Sequence, residues 1–383
     1  MSLLTKLSPS VESLRRDPGA PYRHFDWSLL ALSLMLSSIG LAAIFSATKG
    51  SGPDPHTGIV ARQMLAVILG LGLMAGFAFV DYRKLRELAV VFYPVALLLL
   101  AAVLVVGQNV KGAQAWFGFG PFQLQPSEPA KLALIIEVSS YLSNRRADLT
   151  PKRVAMALVI AGMPMGLIML QPDLGTVLVL VVVTLTLLAV AGTKARYLVA
   201  LLVLGVVSTI GVLNSDLLEQ YQRDRLLVFI ERSSDRDSGL AESYNVDQSE
   251  TAISLGGLTG RGWGKGPQTQ EGRVPEQQTD FIFTVVGEEL GFIGGSAVLA
   301  LFLVLSVRVL RVAQLAREDF GTLLCCGVLA MIMFQVFENV GMSMRITPVT
   351  GIPLPFLSYG GSSMLTTCAG IGIVLSVHMH RFR

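Results

Sequence analysis

Stretches of about twenty consecutive apolar residues recur along most of this chain, and nothing else in it restricts the fold so severely. A helix of that length matches the hydrocarbon thickness of a bilayer. In hydrocarbon every backbone N–H and C=O must be paired within the protein, which leaves helices and closed barrels as the only spanning forms. Continuous apolar runs, rather than alternating ones, select helices. The balance of the chain agrees: 52% of its 383 residues are apolar and only 15% charged, against about 25% charged in soluble domains. The expected fold is an all-α, polytopic integral membrane protein.

About ten spans are expected, near residues 27–46, 60–80, 89–107, 128–143, 154–171, 175–192, 197–213, 281–307, 322–342 and 364–380. Basic residues test the orientation. Arg83, Lys84 and Arg86, then Arg145, Arg146, Lys152 and Arg153, then Lys194 and Arg196, then Arg308, Arg311 and Arg317 fall in alternate loops. The intervening short loops hold little beyond Lys49, Lys111 and Arg345. The positive-inside rule therefore puts both termini in the cytoplasm. Residues 1–26 read as a cytoplasmic tail and 27–383 as one membrane domain, with a large extracytoplasmic loop, 214–280, between helices 7 and 8. The first apolar run lacks a convincing cleavage site and reads as an uncleaved span.

Several functions are excluded or weakened. No Lys/Arg-rich tract interleaved with aromatics is present, so nucleic acid is not an expected partner. Cys325, Cys326 and Cys368 lie inside apolar spans without CxxC or Cys/His spacing, and read as buried and reduced. His24, His56, His378 and His380 show no metal-ligand spacing.

Polar residues that do enter the membrane gather on the outer side. "QPSEPAK" places Glu128 and Lys131 three apart on one helical face, as cavity groups or as an internal ion pair that orients the helix. "QPDLGT" places Asp173 at a tight outer turn, where it suits a helix N-cap or a cavity. "DRLLVFIE" suits a short helix on the membrane surface. The glycine-dense "GGLTGRGWGKG" carries Arg261 and Lys265 and allows close approach to a ligand, or serves as a spacer. "TGIPLPFLSYGGSSM", with Ser358, forms an irregular segment that must line a cavity or pack in protein. "PEQQTDFIFTVVGEELG" runs from Asp280 at the loop–helix junction to Glu288 and Glu289 in an apolar span, although carboxylates there cost at least ~2.5 kcal/mol each. An outward cavity lined this way fits an enzyme acting on a lipid-borne substrate or a transporter. The apolar cytoplasmic halves and the lack of a visible repeat favour the enzyme.

Those motifs, in that order, resemble the SEDS family (shape, elongation, division and sporulation) over nearly the whole membrane region, about 27–380. Within it, residues 244–270 are closer to the RodA-like elongation branch than to the FtsW-like division branch. The resemblance implies a ten-helix peptidoglycan glycosyltransferase in the bacterial cytoplasmic (inner) membrane that polymerises lipid II at the outer face. It implies two kinds of partner, a class B penicillin-binding protein transpeptidase and membrane proteins of the elongation complex. A division polymerase or a lipid II flippase is the alternative. Asp280 is then the catalytic residue, and Lys111, Glu128, Lys131, Asp173, Arg261, Lys265 and Ser358 are the substrate-binding candidates. Glu288 and Glu289 are assigned to helix packing or cavity polarity. No cofactor is fixed, and a divalent metal (Mg or Mn) has room beside the pyrophosphate. The chain departs from the family pattern at "SLGGL" (254–258) and at Arg345, a position that is usually neutral.

Overall fold

A computed structural model describes residues 24–49, 56–110, 113–119, 122–144, 149–213 and 241–382. Its helices are α1 (Trp27–Lys49), α2 (His56–Phe79), α3 (Tyr82–Val106), α4 (Ser127–Ser143), α5 (Pro151–Met169), α6 (Leu174–Val190), α7 (Ala195–Leu213), α8 (Ala241–Gly256), α9 (Pro267–Gln270), α10 (Ile282–Leu315), α11 (Asp319–Ser343) and α12 (Gly361–Met379). The protein is a multi-pass, predominantly α-helical membrane protein. Among the described residues, 7 helices are long and apolar enough to cross a membrane (α1, α2, α3, α5, α10, α11 and α12). α4 and α6, of 17 residues each, and α7 occupy the remaining expected positions.

One element departs from the all-α expectation. Between α3 and α4 the chain makes an antiparallel meander, β1 (Gln108–Val110), β2 (Ala113–Phe119) and β3 (Phe122–Leu124). Alternation in "AQAWFGF" is its only local signal, and it is too short to stand out beside the spans.

α11 and α12 form the buried centre, whereas α2, α3 and α5 expose most of their apolar side chains, as lipid-facing helices do. α2 and α12 pack at glycine crossings: a Cβ on Gly372 would lie 2.6 Å from the Met74 carbonyl oxygen. Close backbone approach of this kind substitutes for the hydrophobic drive that helices lack inside lipid. The ends of the bundle are also joined. The His378 ring meets the His24 carbonyl, so the start of α1 and the end of α12 lie at one face.

α10 breaks at Gly291, whose φ of 67° and ψ of −165° leave the helical region. A break at membrane depth frees backbone groups that must find partners. The glycine-dense loop supplies them. Arg261 and Gly262 donate their amides to the carbonyls of Glu288 and Glu289, while Phe292 and Ile293 donate to Gly257 and Leu258. Glycine is required because a Cβ on Gly260 would lie 2.1 Å from the Glu289 carbonyl oxygen, and one on Gly291 2.3 Å from the Gly260 amide. The close approach expected of this loop is therefore made to a broken helix, and the loop is no spacer. The surface helix expected from "DRLLVFIE" falls outside the described residues.

Candidate active site

Asp280 sits in a turn in which its own amide and that of Phe281 both point to the Glu276 carbonyl. α10 takes Phe281 as its cap residue, with no side-chain cap bond, so Asp280 stands one position outside the cap. Phe281 anchors the turn by burying its ring with Val246, Ala252 and Val274, against Val349.

Two further contacts fix Asp280. Asn339, buried in α11, donates Nδ2 to the Asp280 carbonyl at 2.7 Å and to the Ile352 carbonyl at 2.8 Å. One amide thus ties the catalytic candidate to the irregular segment 346–360. The carboxylate faces that segment at Gly351, where φ is 70° and an added Cβ would lie 3.4 Å from Asp280 Oδ2. Glu338, beside Asn339, accepts from Thr350 Oγ1 at 3.1 Å. Neither Glu338 nor Asn339 was singled out from sequence, although each is a polar residue inside an apolar span.

Ser358 is used internally. Its Oγ accepts the Leu354 amide at 2.8 Å, and Gln63 of α2 brackets the turn by donating to the Ser358 carbonyl and accepting from the Gly360 amide. α1 closes on the same turn at Gly40, where a Cβ would lie 2.5 Å from the Phe356 carbonyl oxygen. Nearby, Asp173 caps α6 by accepting from the Thr176 amide at 2.9 Å, and also accepts from Gln125 Nε2 at 3.2 Å. The adjacent Gly175 backs onto Thr350 and Ile352. The structure thus brings Asp280, Ser358 and Asp173 to one irregular segment.

Glu128 and Lys131 form a buried ion pair, Nζ to Oε1 2.8 Å, with side chains 4% and 2% exposed. Glu128 Oε2 has no partner among the described residues. Arg261 and Lys265 are exposed on the glycine loop. Lys111 falls outside the described residues. Arg345 bridges to Asp247 at 2.8 Å and approaches Glu250 at 3.7 Å, so its charge is matched by α8.

The two membrane carboxylates hold the loop. Glu288 is fully buried and accepts the amides of Gln268 and Thr269, at 2.8 and 2.9 Å, and the Thr269 hydroxyl at 2.6 Å. Charge-assisted bonds of this number offset the desolvation of one carboxylate. Glu289 accepts from Ser46 Oγ of α1 at 2.5 Å. Gln277 adds a bond to the Ala47 carbonyl at 2.7 Å. The α8 side is pinned by Ser249, which donates to the Ser343 carbonyl and accepts from Thr284 Oγ1. Among the described residues no group of three or more His, Cys, Asp or Glu could hold a metal ion.

Comparison with known proteins gives a consistent picture. The family model FTSW_RODA_SPOVE, described as "Cell cycle protein", matches residues 26–383. The chain is 37% identical to peptidoglycan glycosyltransferase MrdB of Escherichia coli (strain K12) over 358 residues, covering 94% of each chain. It is 35% identical to the probable peptidoglycan glycosyltransferase FtsW of Geobacter metallireducens, covering 92% of this chain and 94% of that one. A solved structure, described as structural coordination of polymerization and crosslinking by a peptidoglycan synthase complex, superposes with a TM-score of 0.80 at 34% identity, over 93% of this chain and 98% of that chain.

Proposed function

Because the chain belongs to the FtsW/RodA/SpoVE family of cell cycle proteins, we propose that it is a peptidoglycan glycosyltransferase. It polymerises lipid II into glycan strands at the outer face of the cytoplasmic membrane. The observation that carries the reading is the placement of Asp280: held by main-chain bonds on both sides, outside the helix cap, with its carboxylate turned to a bare glycine.

The chemistry follows from that carboxylate. The acceptor sugar's 4-hydroxyl oxygen attacks C1 of the donor, the C1–oxygen bond to the lipid pyrophosphate breaks, and the hydroxyl proton passes to Asp280. A positioned base contributes about 10²–10⁴-fold. One displacement inverts the anomeric centre, unlike the two-carboxylate retaining route of glycosidases. Arg261, Lys265 and Lys111 are assigned to the departing pyrophosphate, which needs cationic donors. A divalent cation would serve the same charge. The Glu128–Lys131 pair, Asp173 and Ser358 shape the cavity wall that receives the substrate. Asn339 positions Asp280.

Relatives named MrdB and FtsW match at 37% and 35% identity, so the process served is read from residues 244–270, which favour elongation. The partner is a class B penicillin-binding protein that crosslinks the strands. The similarity to the solved structure of a peptidoglycan synthase complex supports that partner. The test is direct: full-length protein in detergent, mixed with lipid II and its transpeptidase, produces glycan polymer. With no membrane to cross, a protein that only translocates lipid II produces none.

A further inference from the structure

At the end of the molecule opposite Asp280, the start of α1 and the ends of α10 and α12 surround a half-open cavity of about 270 Å³. Its walls carry Asp26, which precedes α1; Arg308 and Arg311, near the end of α10; and His378 and Arg381, at the end of α12. Asp280 precedes the first residue of α10, so at 1.5 Å per residue roughly 40 Å of helix separates it from these arginines. The chemistry proposed above uses none of them.

Partner by partner, the charges do not balance. Arg308 Nη2 pairs with Asp26 Oδ2 at 2.6 Å. Burial raises the Asp26 pKa, but hydrogen bonds from Ser28 and Arg308 outweigh it and hold the carboxyl below its usual range. That pair is therefore an internally neutral unit. His378 Nδ1 lies 2.7 Å from the His24 carbonyl, which can only accept, so that nitrogen bears the proton. Nε2 faces Arg381 Nη1, which can only donate, so Nε2 is bare. The imidazole is neutral and aligns Arg381 without adding charge. Arg311 makes no hydrogen bond or ion pair among the described residues. The Nε atoms of Arg308 and Arg381 are buried without partners there. Among the described residues, Arg311 and Arg381 thus have no carboxylate partner beside this half-open pocket: Arg311 is exposed, Arg381 lies over the Phe382 ring, and the buried Nε atoms of Arg308 and Arg381 call for an acceptor.

Depth identifies the acceptor's source. α1 and α12 have 23 and 19 residues, and each rises about 30 Å, the thickness of the hydrocarbon. The cavity therefore opens at the level of lipid headgroups, next to the exposed side chain of Leu315. Basic residues at a membrane face are ordinary. Two buried guanidinium nitrogens without partners among the described residues, and an arginine fixed by a neutral histidine, are not. We propose that this cavity is a phosphate-binding site, filled by the headgroup phosphate of an anionic phospholipid, with Arg311 and Arg381 as its ligands. Guanidinium groups meet phosphate oxygens two at a time, which a surface lysine does not.

The experiment uses the full-length chain, purified in neutral, phosphate-free detergent. The rise in melting temperature is titrated with short-chain phosphatidylglycerol, with phosphatidylcholine of the same chain length, and with inorganic phosphate at constant ionic strength. Arg311 has no bond to lose, so Arg311→Gln folds, and Arg381→Gln tests the second ligand. Lys84→Gln is the control: it is exposed, and its loop is joined to the same end of α12 through the Ser376 bond to the Val80 carbonyl. Each arginine variant weakens phosphatidylglycerol binding about tenfold, the size of one charge-assisted bond, and the control changes it by less than about twofold. If inorganic phosphate also binds, with the same dependence on Arg311, the site stands and its source is free phosphate. Equal effects of all three substitutions, or equal shifts with phosphatidylcholine, overturn the proposal. The readout is binding alone, so its failure is distinct from failure of the polymerase reading.

Discussion

Glu288 shows how a single residue decides whether a polar loop stays on a membrane helix. It accepts three hydrogen bonds from Gln268 and Thr269, and a glutamine there turns an NH2 group toward one of those donors. Glu288→Gln is expected to cost about 1.5–3 kcal/mol, the range for bonds to a charged group. Hydrogen exchange checks it: the Gln268 and Thr269 amides exchange faster while those of α11 do not. Asn339 acts on the site itself. Replacing it with leucine leaves the Asp280 and Ile352 carbonyls without this donor, at about 1–3 kcal/mol for a buried group left unpaired. Asn339→Leu should lower the polymerisation rate more than it raises the apparent KM for lipid II, a split that steady-state kinetics resolves. Asp280 stood out where a polar loop meets an apolar run, but its role as the catalytic candidate came from the family resemblance. The sequence did not reveal Asn339 or the partners of Glu288, because those bonds join residues 59 and about 20 positions apart.

For the elements, apolar length was the strong signal: a helix stands at each expected position, and 7 of them are long and apolar enough to cross a membrane among the described residues. Short elements with mixed patterning were invisible. The β1–β3 meander and the break in α10 depend on contacts with distant backbone. The break nevertheless makes a sharp prediction about glycine. Gly291→Ala and Gly260→Ala force a Cβ to within 2.3 and 2.1 Å of backbone atoms, and both should abolish recovery of folded protein in detergent. Gly257→Ala, with φ at 55° and open space around the added atom, bears only left-handed strain of roughly 1–2 kcal/mol. Fluorescence size-exclusion profiles of the three variants separate these outcomes; equal losses would refute the packing argument.

For the whole molecule, His24 at the start of α1 meets His378 at the end of α12, and the basic loops predict that this face is cytoplasmic. The native cysteines are buried, which leaves a quiet background for labelling. A cysteine at exposed Glu271 should react with a membrane-impermeant thiol reagent in intact cells, and one at exposed Lys194 only after lysis. The reverse pattern would turn the site to the cytoplasm. The central claim is that this architecture exists to present one carboxylate to a lipid-linked sugar. The measurement that tests it is glycan polymerisation from lipid II by Asp280→Asn, with its transpeptidase, at wild-type abundance and melting temperature. Asparagine keeps the size of the side chain and the main-chain bonds to Asn339, and α10 is capped at Phe281, so folding is unaffected. Loss of at least about 10²-fold in rate is expected for a missing base. Polymerisation near the wild-type rate would contradict the account.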